Sequence, residues 1–483
     1  MNDIYHRDAL FIDGQWSASA AGERIQVISP TTEQLIGHTP DANPTDMDRA
    51  VTAARRAFDK GPWPRMTPAE RSAVLAKMAA YLRKHAVATT ELIINEMGSP
   101  SSFMMPGKDA VPTIIDYYAE LARTLPFEVK RSGAYGPSLV RYEPVGVVAA
   151  IAPWNGPLFI MTEKVAPALS AGCTIVAKPA PETPLDAYLL ADAAAFAGLP
   201  PGVLNIVPAG RESGEALVRH PGVDKVSFTG STLAGRRIAA ICGEQIKRCS
   251  LELGGKSAAV ALADASAEAV AQIAVGWGMG FNSGQACAAM TRVVVPRHRQ
   301  AEIVAAMEAL VKVLKVGDPM DPATVVGPLV AERQRDRVEG YIAAGKAGGA
   351  KVVIGGGRPA AMRRGWFVEP TLFCDGDNNM KIAREEIFGP VGVVIPYDGG
   401  DEEAIRIAND SDYGLAGSVF SADPARAFAA VKEIRAGTMG VNTWYVDYKN
   451  PFGGYKASGI GREMGPEGLS LFQEVKTVVG VRS

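Results

Sequence analysis

The stretch Val147-Val148-Ala149-Ala150-Ile151-Ala152-Pro153-Trp154-Asn155 indicates the fold class of this chain. A short apolar run with β-branched residues that ends at a proline is typical of a buried strand. Further runs of this kind follow at 173–177, 204–207, 225–228 and 249–251. Helical or glycine- and proline-marked segments separate them, and this alternation predicts right-handed βαβ crossovers and a parallel sheet. The expected fold class is therefore α/β.

The residues that directly follow these strands are unusually rich in polar side chains and glycine. They are Pro153-Trp154-Asn155, Lys178-Pro179, Pro208-Ala209-Gly210, Thr229-Gly230-Ser231 and Glu252-Leu253-Gly254-Gly255. Open parallel sheets bind their ligands at the carboxyl ends of the strands. The composition of these strand ends therefore predicts a cofactor cleft at that edge.

The segments on either side have their own patterns. Residues 10–16 indicate a strand entering a turn, and Thr67-Pro68-Ala69-Glu70 is a capping box that opens a helix. Residues 126–142 are extended in pattern, and we expect them to leave the domain as a hairpin that pairs with another chain. Beyond the strand-rich block, a strand at 292–295 and helices near 300–314 and 330–347 predict a second α/β region.

Composition excludes several classes of function. The 483 residues carry 50 basic and 52 acidic side chains, a formal net charge of -2, so no basic field is available for nucleic acid or an anionic membrane. No apolar run approaches the length of a membrane helix, and the first residues lack a signal-peptide pattern, so we expect a cytoplasmic protein. The five cysteines form no CxxC pair and indicate neither a disulfide framework nor a metal site.

One cysteine stands out by its neighbours. Cys287 follows Gly284-Gln285-Ala286 and precedes Ala288-Ala289, and such small residues would let a substrate reach the sulfur. The alternative is a buried, inert cysteine. A thiol needs a base to become a nucleophile at neutral pH. The five histidines lie in ordinary contexts, whereas Glu252 ends a predicted buried strand, where burial would raise its pKa towards that of a useful base.

A glycine turn provides a candidate phosphate site. Phe228-Thr229-Gly230-Ser231 leads from a predicted strand into a predicted helix, with Gly235 one turn later. Free N–H groups and the dipole at a helix start suit a pyrophosphate. The spacing is G-x-x-x-x-G and differs from the dinucleotide fingerprint G-x-G-x-x-G, so a purely structural turn is the alternative.

Taken together, these motifs resemble the aldehyde dehydrogenase superfamily, in its NAD(P)-dependent, hydrolytic type. Two further motifs carry the resemblance, Glu385-Glu386-Ile387-Phe388-Gly389-Pro390-Val391 and Pro451-Phe452-Gly453-Gly454-Tyr455-Lys456-Ala457-Ser458-Gly459. The motifs occur in the family's order from Phe11 to Lys476. The resemblance implies a doubly wound Rossmann-type cofactor domain, an α/β catalytic domain and a small bridging β segment.

The resemblance also assigns catalytic roles by position. Cys287 would attack the aldehyde carbon, and Asn155, with the N–H of Cys287, would hold the resulting oxyanion. Glu252 would activate the water that hydrolyses the thioester. Lys164 and Glu463 match a pair proposed to relay protons away from Glu252, with a structural ion pair as the alternative.

Cofactor contacts follow from the same resemblance. Lys178 would bind the adenine ribose, Gly230 and Ser231 the pyrophosphate, and Glu386 the nicotinamide ribose. Phe388 would pack near that ribose, and Trp154 would line the cleft. The remaining expected cofactor-binding residues are Ile151, Gly235 and Leu253. NAD is the expected cofactor, but Pro181 stands where many NAD-preferring members carry glutamate, with Glu182 one residue later, so NADP stays open.

Another departure from the family concerns the substrate tunnel. Gly156 follows Asn155 where some members carry a bulky aromatic residue. We expect a roomy apolar channel lined by Phe159, Trp277, Trp444 and Tyr445. An aromatic, terpenoid or medium-chain aldehyde fits such a channel better than a charged one. No arginine stands beside Cys287 to hold an anionic substrate, apart from Arg292 on the following strand.

The expected domain boundaries place 1–125 and 143–253 in the cofactor domain and 254–455 in the catalytic domain. Segments 126–142 and 456–483 would bridge subunits of a homodimer or homotetramer. Three other functions stay open: acyl transfer to coenzyme A, which the presence of Glu252 argues against, a cofactor-free cysteine esterase, and a structural or binding protein that has recruited the fold.

Overall fold

Two large open sheets with helices on both faces make up most of the protein. The structure is a computed structural model that describes residues 4–20 and 22–480. The strands before residue 145 are β1 (Leu10–Ile12), β2 (Gln15–Ser17), β3 (Arg24–Ile28), β4 (Leu35–Pro40), β5 (Glu128–Gly133) and β6 (Gly136–Pro144). The helices of that region are α1 (Pro44–Lys60), α2 (Pro68–Lys84), α3 (Ala86–Met97), α4 (Ser101–Met104) and α5 (Ala110–Thr124).

Strands and helices then alternate, as the sequence predicts. The elements of this block are β7 (Val147–Ile151), α6 (Pro157–Ala171), β8 (Thr174–Lys178), α7 (Tyr188–Ala197), β9 (Leu204–Ile206), α8 (Arg211–Arg219), β10 (Lys225–Thr229), α9 (Thr232–Glu244) and β11 (Arg248–Glu252). Each predicted strand is confirmed to within one residue at either end.

The second α/β region is longer. Its elements up to the third helix are β12 (Ala258–Ala261), α10 (Ala267–Val275), β13 (Arg292–Pro296), α11 (Gln300–Val313), α12 (Glu332–Ala347), β14 (Lys351–Ile354) and β15 (Thr371–Cys374). The following elements are α13 (Lys381–Arg384), β16 (Val391–Tyr397), α14 (Asp401–Asn409), β17 (Tyr413–Gly414), β18 (Ala416–Phe420), α15 (Pro424–Glu433) and β19 (Thr438–Val441). The chain ends with β20 (Tyr455–Lys456), β21 (Gly459–Ile460), α16 (Gly465–Ser470) and β22 (Gln473–Val479).

The first sheet is doubly wound. Its order is β2-β1-β9-β8-β7-β10-β11-β21, and the five strands from β9 to β11 run parallel. The chain builds outward from β7 in one direction through β8 and β9 and in the other through β10 and β11. The winding therefore reverses between β7 and β10, and a crevice opens there at the carboxyl ends of the strands.

Alternation of side chains along β7 explains how the sheet is covered. Val148 and Ala150 pack with helices α2, α5, α6 and α7, whereas Val147, Ala149 and Ile151 pack with α1, α8 and α9. Successive side chains of a strand point to opposite faces, so an uninterrupted apolar run is what a sheet covered on both faces requires.

The second sheet has the order β14-β15-β16-β13-β12-β18-β19 and is parallel except at β14. Helices α10 and α11 cover one face and α12 to α15 the other. Capping stabilises the helix starts: in α2, Thr67 and Glu70 bond each other's backbone N–H at 3.3 and 2.7 Å, confirming the predicted capping box. No helix of residues 4–20 and 22–480 has both the length and the apolar character to cross a membrane.

A small third sheet joins the two ends of the chain. The hairpin expected near 126–142 is confirmed as β5 and β6, and β6 also pairs with β22 along its length. Its pairing with another chain, and the domain boundaries, stay predictions. The first sheet draws mainly on 147–252 and the second on 258–441.

Candidate active site

The crevice between β7 and β10 opens into a cavity of about 430 Å³. Asn155 beyond β7, Thr229 at the end of β10 and Glu252 at the end of β11 all reach it, as the doubly wound topology predicts. The loop that carries Cys287 approaches from the second sheet and completes the wall. The structure therefore brings together three of the side chains singled out in the sequence: Asn155, Glu252 and Cys287.

A tight turn before Cys287 aims that residue at the cavity. Asn282 and Ser283 have left-handed backbone conformations, with φ of 51° and 56°. Such conformations are unfavourable for most residues with a side chain and persist where surrounding bonds hold them. Here the Ser283 hydroxyl bonds the backbone of Gly327, and the Gln285 side chain accepts from the N–H of Val330 at 3.0 Å. The cysteine loop is thus fixed to the rest of the second region.

Asn155 is held against this loop from both ends. Its side-chain Nδ2 donates to the carbonyl oxygen of Gln285 at 3.0 Å. Asn282 Nδ2 donates to the carbonyl oxygen of Asn155 at 2.7 Å. These bonds give an amide donor a defined position beside Cys287, in a place where it could stabilise negative charge on an adduct.

The environment of Cys287 favours the neutral thiol in the free protein. The residue is half-buried, and its enclosure raises the pKa of the thiol to about 12, with the carboxyls of Glu386 and Glu252 adding to the effect. A thiol with such a pKa is mostly protonated at neutral pH and needs a proton acceptor to react.

Glu252 is suited to accept a proton. Its side chain is buried, and neither carboxyl oxygen has a hydrogen-bond partner among the described residues. Burial raises the pKa of this carboxyl well above its usual range, and the neighbouring Glu463 adds to the increase. Gly453 makes room for it, because a Cβ at that position would lie 2.6 Å from Glu252 Oε1. A raised pKa makes the ionised form of a carboxyl a stronger base, so Glu252 can act as a general base once it has lost its own proton.

Lys164 and Glu463 form a buried ion pair next to Glu252. Lys164 Nζ also donates to Thr229 Oγ1 at 2.6 Å, and the Ser227 hydroxyl donates to Glu463 Oε1 at 3.3 Å. Both residues are placed near Glu252 as the sequence comparison implies, and Glu463 itself lines the cavity.

The glycine turn at the end of β10 leads directly into helix α9. Ser231 caps the helix by accepting from the N–H of Ala234 at 3.3 Å, and the first helical N–H groups have no partner within the helix. Gly235 packs directly on Leu253, because a Cβ at Gly235 would collide with that side chain. The close packing brings the start of α9 against the end of β11, at the carboxyl edge of the sheet.

Lys178 lies at the end of β8, paired in register with Ile151 of β7. Its ammonium is buried and donates to the carbonyl oxygen of Pro179 at 3.0 Å. Burial lowers the pKa of this lysine to about 8, whereas Glu182 opposes the shift. Glu182 forms an ion pair with Arg333 of α12 and is therefore already engaged.

Glu386 and Phe388 bring the second region to the same crevice. Glu386 Oε1 accepts from the N–H of Gly255 at 3.0 Å, and burial raises the pKa of its carboxyl to about 7. Phe388 has a left-handed backbone with φ of 66°, and its ring meets Trp154 edge to face, with centroids 5.2 Å apart. The two aromatic rings therefore form a continuous wall across the opening between the sheets.

The rest of the cavity wall is mostly apolar. Phe159, Trp277 and Trp444 line it, as expected, but the prediction for Tyr445 is wrong, because this side chain is 64% exposed and lies outside the wall. Other apolar side chains on the wall are Ile93, Met97, Phe103, Met104, Ile160, Phe281, Val446, Phe452 and Met464.

Arg292 cannot serve an anionic substrate. It is buried, and its guanidinium donates to Asn378 and to the backbone carbonyls of Lys256, Ile407 and Ala408 at 2.9 to 3.1 Å. All these bonds hold loops of the second region together. The arginine is therefore structural, and it is not available to hold an anionic substrate.

Two features of the site were missed in the sequence. Glu163 lines the cavity although no motif includes it. A signal was available, since an acid inside the mostly apolar segment 157–171 is costly to bury. Asn282 clamps Asn155, but its role depends on a left-handed turn that no spacing in the sequence indicates.

Comparison with known proteins agrees with this geometry. Residues 16–478 match the model of the aldehyde dehydrogenase family. A geranial dehydrogenase from Castellaniella defragrans is 46% identical over 471 residues, which cover 97% of this chain and 98% of that protein. A Mycobacterium tuberculosis aldehyde dehydrogenase in complex with NAD+ superposes with a TM-score of 0.96 at 48% identity, over 99% of both chains. A variant of aldehyde dehydrogenase C from Pseudomonas syringae, in complex with NAD+ and octanal, superposes with a TM-score of 0.92 at 39% identity, over 98% of this chain and 96% of that one. The chain therefore belongs to the aldehyde dehydrogenase family.

Proposed function

We propose that this protein oxidises an apolar aldehyde to the carboxylic acid, with NAD as the cofactor and a hydrolysed thioester on Cys287 as the intermediate. One observation carries the proposal: Cys287, Asn155 and Glu252 line one cavity whose other walls are mostly apolar. A nucleophile, an amide donor and an unpaired buried carboxyl are the groups that this reaction needs.

Several features of the crevice fit a dinucleotide. The start of α9 at Gly230 and Ser231 would hold the pyrophosphate, and the buried ammonium of Lys178 would bond the adenine ribose. Glu386 would bond the nicotinamide ribose, with Phe388 packed beside it. Ile151, Trp154, Gly235 and Leu253 would form the remaining walls. The relatives solved with NAD+ support this assignment. When bound, NAD supplies the acceptor for the hydride that leaves the substrate carbon.

The first half-reaction builds the acyl-enzyme. The Cys287 thiol loses its proton to solvent water, and the sulfur bonds to the aldehyde carbon. The carbonyl oxygen becomes an oxyanion, held by Asn155 Nδ2 and the N–H of Cys287. When the oxyanion collapses, hydride leaves the same carbon and a thioester remains on Cys287.

The second half-reaction releases the acid. Glu252 takes a proton from water as the water oxygen attacks the thioester carbon, and the carbon–sulfur bond breaks to give the carboxylic acid and the Cys287 thiolate, with the proton left on Glu252. The buried pair Lys164 and Glu463 lies next to Glu252 and would carry its proton towards solvent. Glu252 also favours hydrolysis over acyl transfer to coenzyme A, because a base for water is of no use to the latter reaction.

The apolar wall supports the substrate class. A cavity of about 430 Å³ lined by Phe159, Trp277, Trp444 and Phe452 fits an aromatic, terpenoid or medium-chain aldehyde. Relatives that carry geranial and octanal in their names point the same way. We also propose a homodimer or homotetramer, because β5 lies at the edge of its sheet and an exposed edge is a ready pairing surface.

The absorbance of reduced nicotinamide tests the proposal. Purified protein is mixed with NAD or NADP and with acetaldehyde, octanal, citral, benzaldehyde or succinic semialdehyde. We expect turnover with NAD, fastest with the bulky apolar aldehydes. Turnover only with the charged aldehyde would overturn the substrate class. Ester hydrolysis with no cofactor binding in a fluorescence titration would favour the esterase instead.

A further inference from the structure

Helix α6 places an acid on the wall of the substrate cavity where no role has been given to it. Glu163 is 4% exposed, and it lines the same cavity as Cys287. Phe159 and Ile160, one turn earlier on the same face of the helix, also line the cavity. Residues three and four apart share a helix face, so the side chain of Glu163 is directed at the same space as these apolar groups.

Among residues 4–20 and 22–480, no side chain or backbone group bonds Oε1 of Glu163, which is buried. Lys164, the next residue, is already engaged by Glu463 and Thr229. A buried polar atom with no partner is costly, and native sites that retain one commonly satisfy it with a ligand or an ordered water.

The charge state of this carboxyl decides what it can bind. Burial raises the pKa of Glu163 well above its usual range, and Glu463 adds to the increase while Lys164 opposes it. This environment favours the neutral form of the carboxyl, which has one O–H donor and one strong acceptor. That form can bond a hydroxyl or a carbonyl oxygen without having to ionise.

We propose that Glu163 is a specificity-determining residue that hydrogen-bonds a neutral oxygen, a hydroxyl or a carbonyl, carried on the chain of an otherwise apolar aldehyde. This inference rests on the proposed function and refines its substrate class. The rest of the tunnel wall is mostly apolar, so a single buried polar group can discriminate strongly between aldehydes. An aldehyde without the oxygen leaves that group unpaired.

Three variants separate this role from a structural one. Glu163→Met keeps the length of the side chain and removes both hydrogen-bonding atoms. Glu163→Gln keeps a donor and an acceptor but cannot carry a negative charge. Thr162→Val is the matched control, because Thr162 is buried on the same helix with an unpartnered hydroxyl but does not line the cavity. Thermal unfolding midpoints verify that all three fold.

The measurement is kcat/KM with NAD for octanal, for hydroxyoctanals with the hydroxyl at successive carbons, and for an octanal with a terminal trimethylammonium group. We expect the native protein to prefer one hydroxyoctanal over octanal by about 10-fold or more. In Glu163→Met the ratio of kcat/KM for the preferred hydroxyoctanal to that for octanal should fall to about 1, whereas Glu163→Gln and Thr162→Val should keep most of the preference.

Three results would overturn the inference while octanal is still oxidised. The first is an equal kcat/KM for octanal and every substituted octanal. The second is a preference for a hydroxyoctanal that survives in Glu163→Met. The third is a preference for the trimethylammonium aldehyde that Glu163→Gln abolishes. The last would show that a carboxylate anchors a cation. Absence of turnover with every aldehyde would instead refute the proposed function, so the two failures are distinguishable.

Discussion

The ammonium of Lys164 and the carboxylate of Glu463 form an ion pair from which water is excluded, with 0% and 7% of the side chains exposed. The pair joins helix α6 to the segment before α16 and lies beside the unpaired carboxyl of Glu252. A buried pair is weak evidence for stability, because desolvation offsets most of the attraction. Its position next to the candidate base is what the proposed proton relay requires.

The role of this pair can be tested by neutralising one member. We expect Glu463→Gln to lower the steady-state turnover rate by about 10-fold or more, because proton removal from Glu252 would be impaired. The first turnover should stay fast. Rapid mixing separates the two phases. A merely structural role would lower the unfolding midpoint and slow both phases alike, and that result would count against the relay.

Glu252 is predicted to act only after hydride transfer. Glu252→Gln should release about one reduced nicotinamide per active site and then stall, with steady-state turnover lower by about 10² to 10⁴-fold. Quenched-flow absorbance measures the burst of reduced nicotinamide. Mass spectrometry of the stalled protein should find an acyl group on Cys287. Unimpaired steady-state turnover in the variant would contradict the role of Glu252 as the base for hydrolysis.

Cys287 is predicted to be indispensable for chemistry and dispensable for binding the cofactor. Cys287→Ala should lose all turnover but retain NAD affinity in a fluorescence titration. Cys374→Ala is the matched control, because Cys374 is a half-buried cysteine that ends β15 and does not line the cavity. Residual oxidation in Cys287→Ala would show that another group is the nucleophile.

The reactivity of Cys287 in the free protein should depend steeply on pH. Because enclosure raises the pKa of the thiol to about 12, the thiolate fraction grows about tenfold for each pH unit between pH 7 and 10. The rate of alkylation by iodoacetamide, followed by peptide mass spectrometry, should climb without a plateau over that range. A plateau below pH 8 would contradict the assigned environment.

Cofactor preference should respond to the residue beside Lys178. In Pro181→Glu a carboxylate would accept hydrogen bonds from the ribose hydroxyls and repel a 2′-phosphate, so we expect NADP affinity to fall about 10-fold relative to NAD. Arg333→Ala should act in the same direction, because it frees Glu182 from its ion pair. Calorimetric titration with both cofactors measures the ratio, and an unchanged ratio in both variants would place the determinant elsewhere.

Much of the fold could be predicted from local patterns. The run Val147–Ile151 and the strands after it are apolar on both faces, which only a doubly covered parallel sheet accommodates. The Thr67 capping box is equally local, since its two bonds span three residues. These features were predictable because the residues that decide them are neighbours in sequence.

The site was predictable only in part. Glu252 and Asn155 follow strands, and a parallel sheet brings strand ends to one edge whatever the details. Tyr445 was misjudged, and the bonds of Arg292 could not be foreseen, because the direction of a side chain and the carbonyls it meets depend on contacts with distant segments. Glu163 was overlooked since the space it faces is created by α3, α4 and the C-terminal segment together.

The sequence by itself determined the α/β class, the alternation of strands and helices along the chain, and the types of side chain at the strand ends. Short-range hydrophobic periodicity and turn chemistry carry that information. Only the tertiary structure decided which of those groups are left unpaired inside one cavity. The carboxyls of Glu252 and Glu163 have raised pKa values because chain segments far apart in sequence exclude water around them. Burial by distant segments is a property of the packed molecule, and no local pattern encodes it.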